Sequence, residues 1–123
     1  MSNKKILIVD DNADVRLGIN IRLKANHYDT FVAWDGLSAI SEARKVQPDL
    51  IILDLGMPAG GGFSVMERLK ANPQLSTIPV IVLSGNDPVT NKERVFKGGA
   101  WAFLQKPVDH EKLLSAIRDA LRQ

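Results

Sequence analysis

Acidic residues that could do chemistry follow two apolar runs of this 123-residue chain. The run at residues 6–9 ends in Asp10 and Asp11, and the run at residues 50–53 ends in Asp54. Two carboxylates about 4 Å apart repel each other by on the order of 4 kcal/mol at an effective dielectric constant near 20. If these aspartates meet, they need a cation. An all-oxygen site that leaves positions for water or phosphate suits Mg²⁺.

The pattern of apolar runs predicts five strands, and these strands would position the acidic residues. Continuous apolar runs rich in β-branched residues, at 6–9, 50–53 and 80–83, are typical of strands buried on both faces. Weaker candidates at 30–33 and 101–105 complete the set, and helical patterns separate the runs. Such alternation predicts right-handed crossovers and a parallel sheet. The fold class is therefore α/β: a three-layer, doubly wound, flavodoxin-like sheet of five strands in the order 2-1-3-4-5.

The predicted helices differ in how clearly their apolar faces are defined. In the first helix, residues 15–23 place an apolar side chain at every fourth position, and Arg16 is expected to face the solvent. The second helix begins after Asp35, a good N-cap residue, and its apolar face starts at Leu37. The fourth helix, near residues 89–97, carries the least apolar surface and should end at the glycine pair that follows it.

The carboxyl ends of parallel strands meet at one edge of the sheet, where open α/β folds bind ligands. In the predicted order, strands 1 and 3 are neighbours, so their terminal aspartates should cluster. Ser84 follows the fourth strand, and Lys106 follows the fifth, from where it can reach across the edge. The predicted site comprises Asp10, Asp11, Asp54, Ser84 and Lys106, with Mg²⁺ as cofactor. The alternative is that the aspartates merely cap the helices that follow them.

Composition excludes several classes of function. With 16 Lys and Arg against 14 Asp and Glu, the net charge is +2 and the basic residues are scattered, so no direct nucleic-acid contact is predicted. The chain has no cysteine, which excludes disulfides and thiolate metal sites. The apolar run near the N-terminus is too short for a signal peptide or a membrane span, so we expect a cytoplasmic protein without membrane contact. Length predicts one domain, residues 1–123.

These residues, in this order at the strand ends, resemble the receiver domain of two-component response regulators, which has a chemotaxis-protein-like fold. The resemblance covers essentially the whole chain. It implies a phosphorelay function, in which Asp54 accepts a phosphoryl group from a histidine kinase or a histidine phosphotransfer protein. It also implies that Asp10 and Asp11 help to bind Mg²⁺, together with Asp54 and the backbone carbonyl of Gly56. Such a protein is not an enzyme for other substrates, since it catalyses only its own phosphorylation and dephosphorylation.

The resemblance further implies a switch. Ser84 would be the switch hydroxyl, and Phe103, three residues before Lys106, would be the switch aromatic, although plain core packing explains Phe103 equally well. Family members usually join this lysine to the proline that follows, here Pro107, through a cis bond. Phosphorylation would alter the surface formed by helix 4, strand 5 and helix 5. The partner that reads this surface would be a downstream protein or an effector domain missing from the chain.

The chain departs from the family pattern in two places, one a single residue and the other a triplet. Gly56 stands where a larger side chain is common, so the acceptor aspartate should be more open here. The triplet Gly60-Gly61-Gly62 replaces the usual Met-Asp/Asn-Gly, and we expect it to make the loop before the third helix more mobile. We hypothesise that the bare Gly56 admits hydrolytic water and shortens the phosphoryl lifetime.

Three other functions remain open at this point. An aspartyl phosphatase would carry an Asp-x-Asp motif after the first strand, whereas this chain has adjacent aspartates there. A flavin carrier would need a Ser/Thr-rich phosphate loop after the first strand, and none is found. The main alternative is a receiver-fold interaction module that signals without phosphorylation. The complete set of site residues argues against that alternative but does not exclude it.

Overall fold

Strands and helices alternate along the chain in the computed structural model, which describes residues 3–57, 61–85 and 88–122, with the backbone alone at 88–91. The ten elements are β1 (Lys5–Val9), α1 (Ala13–Ala25), β2 (Asp29–Ala33), α2 (Gly36–Val46), β3 (Leu50–Asp54), α3 (Gly61–Ala71), β4 (Val80–Ser84), α4 (Pro88–Lys97), β5 (Ala102–Gln105) and α5 (His110–Leu121). All neighbouring strands pair in parallel, in the order β2-β1-β3-β4-β5. This confirms the predicted fold class and strand order.

The sheet separates two apolar cores. Side chains of α1 and α5 pack on one face of the sheet, and side chains of α2, α3 and α4 pack on the other. Every residue of β3 and β4 is buried, which explains why these strands are continuous apolar runs. Because the three central strands lack an exposed face, their carboxyl ends are the places where they can present polar groups.

Two details of the helices differ from the sequence prediction. Leu37 does not lie on the apolar face of α2, since 73% of it is exposed, and Ala39, Ile40 and Ala43 are buried instead. The cause is the capping box, in which the Asp35 carboxylate accepts the Ser38 N–H and fixes the phase of the first turn. The prediction that Arg16 faces the solvent is also wrong, because its guanidinium turns back to the end of β1.

Helix α4 ends where its sequence predicted. The Gly98 N–H donates to the carbonyl of Arg94, and the Gly99 N–H donates to the carbonyl of Phe96. Gly99 adopts a φ of 98°, which a residue with a side chain rarely takes up. The glycine pair therefore stops the helix. None of the helices within the described ranges is long and apolar enough to cross a bilayer.

Helix α3 begins in close contact with the strand that ends at Asp54. Gly61 and Gly62 are buried residues of its first turn rather than loop residues, while Gly60 lies outside the described residues. A Cβ on Gly62 would lie 2.7 Å from the Asp54 carbonyl oxygen and 2.8 Å from Leu55 Cα. The glycines thus permit a close approach of two backbones.

Two glycine-to-alanine substitutions should change stability in opposite directions. Gly62→Ala places a methyl group against backbone atoms that cannot give way, and we expect it to lower the free energy of unfolding by about 1–3 kcal/mol. Gly18→Ala adds a methyl group inside α1 with nothing within 4 Å. It should raise the free energy of unfolding by about 0.5–1 kcal/mol. Urea unfolding of both variants checks this, and equal effects would contradict the close approach of α3 to β3.

Candidate functional site

Three carboxylates meet at the carboxyl edge of the sheet. Asp10 follows β1 and Asp54 ends β3, and these two strands pair with Val9 opposite Leu53. Asp10 and Asp54 are buried, whereas Asp11 is exposed. One oxygen of each of the three carboxylates lies within 4.8 Å of the others. The predicted convergence of Asp10, Asp11 and Asp54 therefore exists.

Lys106 brings a positive charge into this cluster. Its Nζ lies 3.0 Å from Asp10 Oδ2 and 3.1 Å from Asp54 Oδ1. The backbone N–H of Lys106 donates to the carbonyl of Ser84 at 2.8 Å, which extends the pairing of β5 with β4 and aims the lysine across the edge. The Lys106–Pro107 bond is cis, as the resemblance implied. The lysine thus bridges both buried carboxylates.

The chain around Asp10 is held by contacts that the sequence analysis did not predict. Asp10 Oδ1 accepts the Asn12 N–H at 2.9 Å, and the Arg16 guanidinium donates to the Asp10 carbonyl at 2.7 Å. Asn12 is also the N-cap of α1, accepting the N–H groups of Asp14 and Val15. The alternative that Asp10 or Asp11 caps α1 is therefore wrong. Asn12 was recognisable as a cap residue, but nothing in the sequence indicated the contact of Arg16.

Gly56 lies beside the carboxylate of Asp54. The Gly56 N–H donates to Asp54 Oδ1 at 3.1 Å, and Gly56 itself is exposed. A Cβ at this position would lie 3.7 Å from the same oxygen, in ordinary van der Waals contact. Of the described residues outside its chain neighbours, no other comes within 4 Å of that Cβ position, so a longer side chain has room to extend beside the carboxylate.

The two predicted switch residues lie on the neighbouring strands β4 and β5 in different surroundings. Ser84 is buried at the end of β4, whose Leu83 is paired with Asp54. Phe103 lies opposite Val82 in β5 and packs, partly buried, on the core shared by α2, α3 and α4. Core packing of Phe103 is thus a structural fact, and its switching remains a prediction.

Burial and charge shift two pKa values at this site. Burial raises the pKa of the Asp10 carboxyl above its usual 3.8, the charge of Asp54 adds to the increase, and hydrogen bonds from the Asn12 N–H and Lys106 oppose it. Burial alone would lower the pKa of Lys106, but its hydrogen bonds to Asp10 and Asp54 outweigh burial and hold the pKa above 10.5. Lys106 therefore stays charged at neutral pH, whereas an ionised Asp10 costs the fold some stability.

Replacing Asp10 by a neutral isostere should stabilise the fold in buffer without Mg²⁺. The raised pKa means that ionised Asp10 opposes folding above this pKa, so Asp10→Asn is expected to gain on the order of 1 kcal/mol near neutral pH. As pH falls through the raised pKa, the wild-type carboxyl takes up a proton and the difference from the variant shrinks. Urea unfolding of both proteins across this pH range measures the difference.

Asp35 provides a control of opposite sign. The N–H and hydroxyl of Ser38 lower its pKa below 3.8, so ionised Asp35 stabilises the fold at neutral pH and the contribution is lost as pH falls. Asp35→Asn should therefore be less stable than the wild type at neutral pH. A destabilised Asp10→Asn, or a gain that is constant with pH, would contradict the assignment for Asp10.

The donor set of the cluster fits a divalent cation. Three carboxylate oxygens within 4.8 Å of one another offer hard ligands to a single ion.

The sequence model of one protein family, the response regulator receiver domain, matches residues 6–118 of the chain. The chain belongs to this family. Receiver domains bind Mg²⁺ at an acidic pocket, and in this one Asp10, Asp11 and Asp54 form such a cluster.

Curated relatives of this receiver domain are longer than the chain. It is 37% identical over 119 residues to the DNA-binding dual master transcriptional regulator RpaA of Synechocystis sp., an alignment that covers 97% of the chain and 49% of RpaA. It is also 37% identical over 119 residues to the response regulator PleD of Caulobacter vibrioides, covering 96% of the chain and 26% of PleD. The chain spans about half, or less, of the length of these relatives.

Solved structures share the fold over nearly the full chain. The chemotaxis response regulator CheY4 of Vibrio cholerae superimposes with a TM-score of 0.89 at 30% identity, covering 98% of this chain and 100% of CheY4. The receiver domain of a signal transduction histidine kinase from Syntrophus aciditrophicus superimposes with a TM-score of 0.88 at 32% identity, covering 97% and 90%. The chain therefore shares its fold with a chemotaxis response regulator and with the receiver domain of a histidine kinase.

Proposed function

We propose that this receiver domain, residues 1–123, accepts a phosphoryl group on Asp54 from a histidine kinase or a histidine phosphotransfer protein, with Mg²⁺ as cofactor. The observation that supports this best is the position of Lys106 Nζ, 3.0 Å from Asp10 and 3.1 Å from Asp54, beside the exposed Asp11. A buried nucleophile flanked by one cation and two further carboxylates is an arrangement suited to phosphoryl transfer.

In the proposed reaction, a carboxylate oxygen of Asp54 attacks the phosphorus of phosphohistidine in line with the bond that breaks. The P–N bond breaks, its electron pair returns to the imidazole, and the product on Asp54 is an acyl phosphate. Asp10, Asp11, Asp54 and the Gly56 carbonyl would hold Mg²⁺, which supplies charge neutralisation for the phosphoryl oxygens. Lys106 lies where it can neutralise another of these oxygens, and the Gly56 N–H orients the Asp54 carboxylate.

The acyl phosphate carries a charge near −2, which attracts hydroxyl and ammonium groups. Ser84 and Lys106 are the proposed partners of this charge, because both lie at the same edge of the sheet. Inward movement of Ser84 would free space into which Phe103 turns. The surface formed by α4, β5 and α5 would then change, and we propose that a downstream protein or an effector domain reads it.

Several lines support the choice of α4, β5 and α5. Of the α4 side chains from residue 92 to 97, Val95 is the one that is buried, so this part of the helix is weakly anchored. Phe96 and Trp101 expose 42% and 41% of their surface on or near these elements. The same proposal includes a cytoplasmic location and no direct contact of this domain with nucleic acid, although the relative RpaA is named as a DNA-binding regulator.

One experiment separates the proposed function from its alternatives. The protein is incubated with acetyl phosphate, with and without Mg²⁺, and its intact mass is measured by mass spectrometry. A chromogenic phosphomonoester is then added to test for phosphatase turnover. A phosphoacceptor should gain the mass of one phosphoryl group, lose it slowly, and gain nothing in EDTA. An interaction module that is not phosphorylated would show no gain. Continuous turnover of the phosphomonoester would instead indicate a phosphatase, and either result would overturn the proposal.

The open space beside Asp54 should set the lifetime of the phosphoryl group. Gly56→Met fills it, and we expect dephosphorylation to slow several-fold, equivalent to about 1 kcal/mol in the barrier. Gly56→Ala is the matched control, because its Cβ makes only ordinary contact with Asp54. Decay of the phosphorylated mass over time gives both rates. Equal rates for glycine, alanine and methionine would show that water reaches the acyl phosphate by another route.

A further inference from the structure

A side chain of α4 contacts an aromatic ring of α3 across a groove. The groove, about 630 Å³ in volume, is lined from α3 by Phe63 and Met66 and from α4 by Arg94 and Lys97, among others. The Arg94 guanidinium crosses it and lies over the Phe63 ring, with Cζ 3.7 Å from the ring centroid. This is the geometry of a cation–π contact.

This contact is one of the few interactions that the described side chains of α4 make with the rest of the molecule. Val95 is the one buried side chain among residues 92–97, and the other five are exposed. Arg94 is itself exposed, so its guanidinium also interacts with water. The contact should therefore change the equilibrium between closed and open α4 only a few-fold. Among residues 92–97 the anchors are one buried valine and one cation–π contact, so loss of the contact should make local opening of this part of α4 easier.

The other partner of the contact belongs to a fixed part of the molecule. Phe63 packs on the core beneath α3, two residues after the helix begins. The first turn of α3 is tied to the strand that carries Asp54, because the Gly62 N–H donates to the Leu55 carbonyl at 3.2 Å. The start of α3 therefore links the ring of Phe63 to the strand that ends at Asp54, and Arg94 connects α4 to this ring.

We infer that the Arg94–Phe63 contact is a latch, which holds α4 against α3 and sets how easily α4 moves when Asp54 is phosphorylated. The latch concerns the regulation of the proposed site, so this second part rests on the proposed function. A contact between a moving helix and a fixed one opposes the movement. Coupling between two sites is reciprocal. If breaking the latch raises the equilibrium constant for opening of α4 by some factor, the affinity for a phosphoryl mimic should rise by at most the same factor.

Native-state amide exchange of the unphosphorylated protein tests the latch itself. Arg94→Met and Phe63→Leu should each speed the exchange of the hydrogen-bonded α4 amides about two- to fivefold, the worth of an exposed cation–π contact, without changing the amides of β1 and β3. The double variant should be no faster than the faster single variant. Lys92→Met removes an exposed cation of the same helix that makes no cation–π contact with the described residues, so it should have no effect, and Phe63→Tyr should retain protection. Unchanged exchange or additive effects would overturn the latch.

Titration with beryllium fluoride and Mg²⁺ tests the regulatory part. If the wild type binds this phosphoryl mimic, Arg94→Met should bind it up to about two- to fivefold more tightly, and Lys92→Met should not differ. Equal affinity of Arg94→Met and wild type would overturn the regulatory role. A wild type that does not bind would refute the proposed function and, with it, the regulatory role of the latch, while amide exchange would still decide whether the latch exists.

Discussion

Asp54→Asn should take up no phosphoryl group from acetyl phosphate under conditions in which the wild type gains one. The amide has nearly the same shape as the carboxylate, but its oxygen is a poor nucleophile, so no acyl phosphate forms. The fold should survive, because the substitution relieves the repulsion between Asp54 and Asp10. Intact-mass measurement after incubation with Mg²⁺ and acetyl phosphate checks the expectation.

The control for Asp54→Asn is a second aspartate near the same edge of the sheet. Asp14 is exposed in the first turn of α1 and takes no part in the proposed site. Asp14→Asn should be phosphorylated at the wild-type rate. If Asp54→Asn still gained one phosphoryl mass, another residue would be the acceptor and the assignment of Asp54 would be wrong.

Lys106→Met should slow phosphorylation of Asp54 about 100- to 1000-fold, the usual effect of removing one preorganised charge-stabilising donor. Lys106 Nζ contacts both buried carboxylates, and its raised pKa keeps it charged. Its loss removes the cation that would meet the phosphoryl oxygens and leaves Asp10 and Asp54 to repel each other. The initial rate of mass gain with acetyl phosphate measures the effect.

Two further variants serve as controls for Lys106→Met. Lys112→Met removes an exposed cation of α5 and should leave the rate unchanged. Lys106→Arg retains the charge, but a planar guanidinium does not match the position of the ammonium, so its rate should fall between those of the wild type and Lys106→Met. A Lys106→Met protein that is phosphorylated at the wild-type rate, while circular dichroism shows that it is folded, would exclude an electrostatic role of the lysine.

The sequence predicted the sheet well because buried parallel strands leave an unambiguous pattern. Residues 50–54 and 80–84 have no exposed face, so their apolar runs end abruptly at polar residues. The phase of α2 was harder to predict. Leu37 is apolar but exposed, since the Asp35–Ser38 capping box and not hydrophobicity sets the phase of α2. Local hydrogen bonds decided that orientation.

The convergence of Asp10, Asp11 and Asp54 was also predictable, because parallel strands bring their carboxyl ends together. The contact of Arg16 with the Asp10 carbonyl was not predictable. A long flexible side chain on an amphipathic helix is expected to point to the solvent, and only the three-dimensional position of a free carbonyl shows otherwise. The cation–π contact between α3 and α4 was hidden for the same reason, since its partners are far apart in sequence.

Chemical trapping of the acyl phosphate is the most direct test of the central claim, that Asp54 is the phosphoacceptor. Borohydride reduces an aspartyl phosphate to homoserine, which peptide mass spectrometry locates at a single position. After incubation with Mg²⁺ and acetyl phosphate, we predict homoserine at position 54 and none in a sample treated with EDTA. Homoserine at another aspartate, or at no position in a protein that has gained phosphoryl mass, would contradict the account.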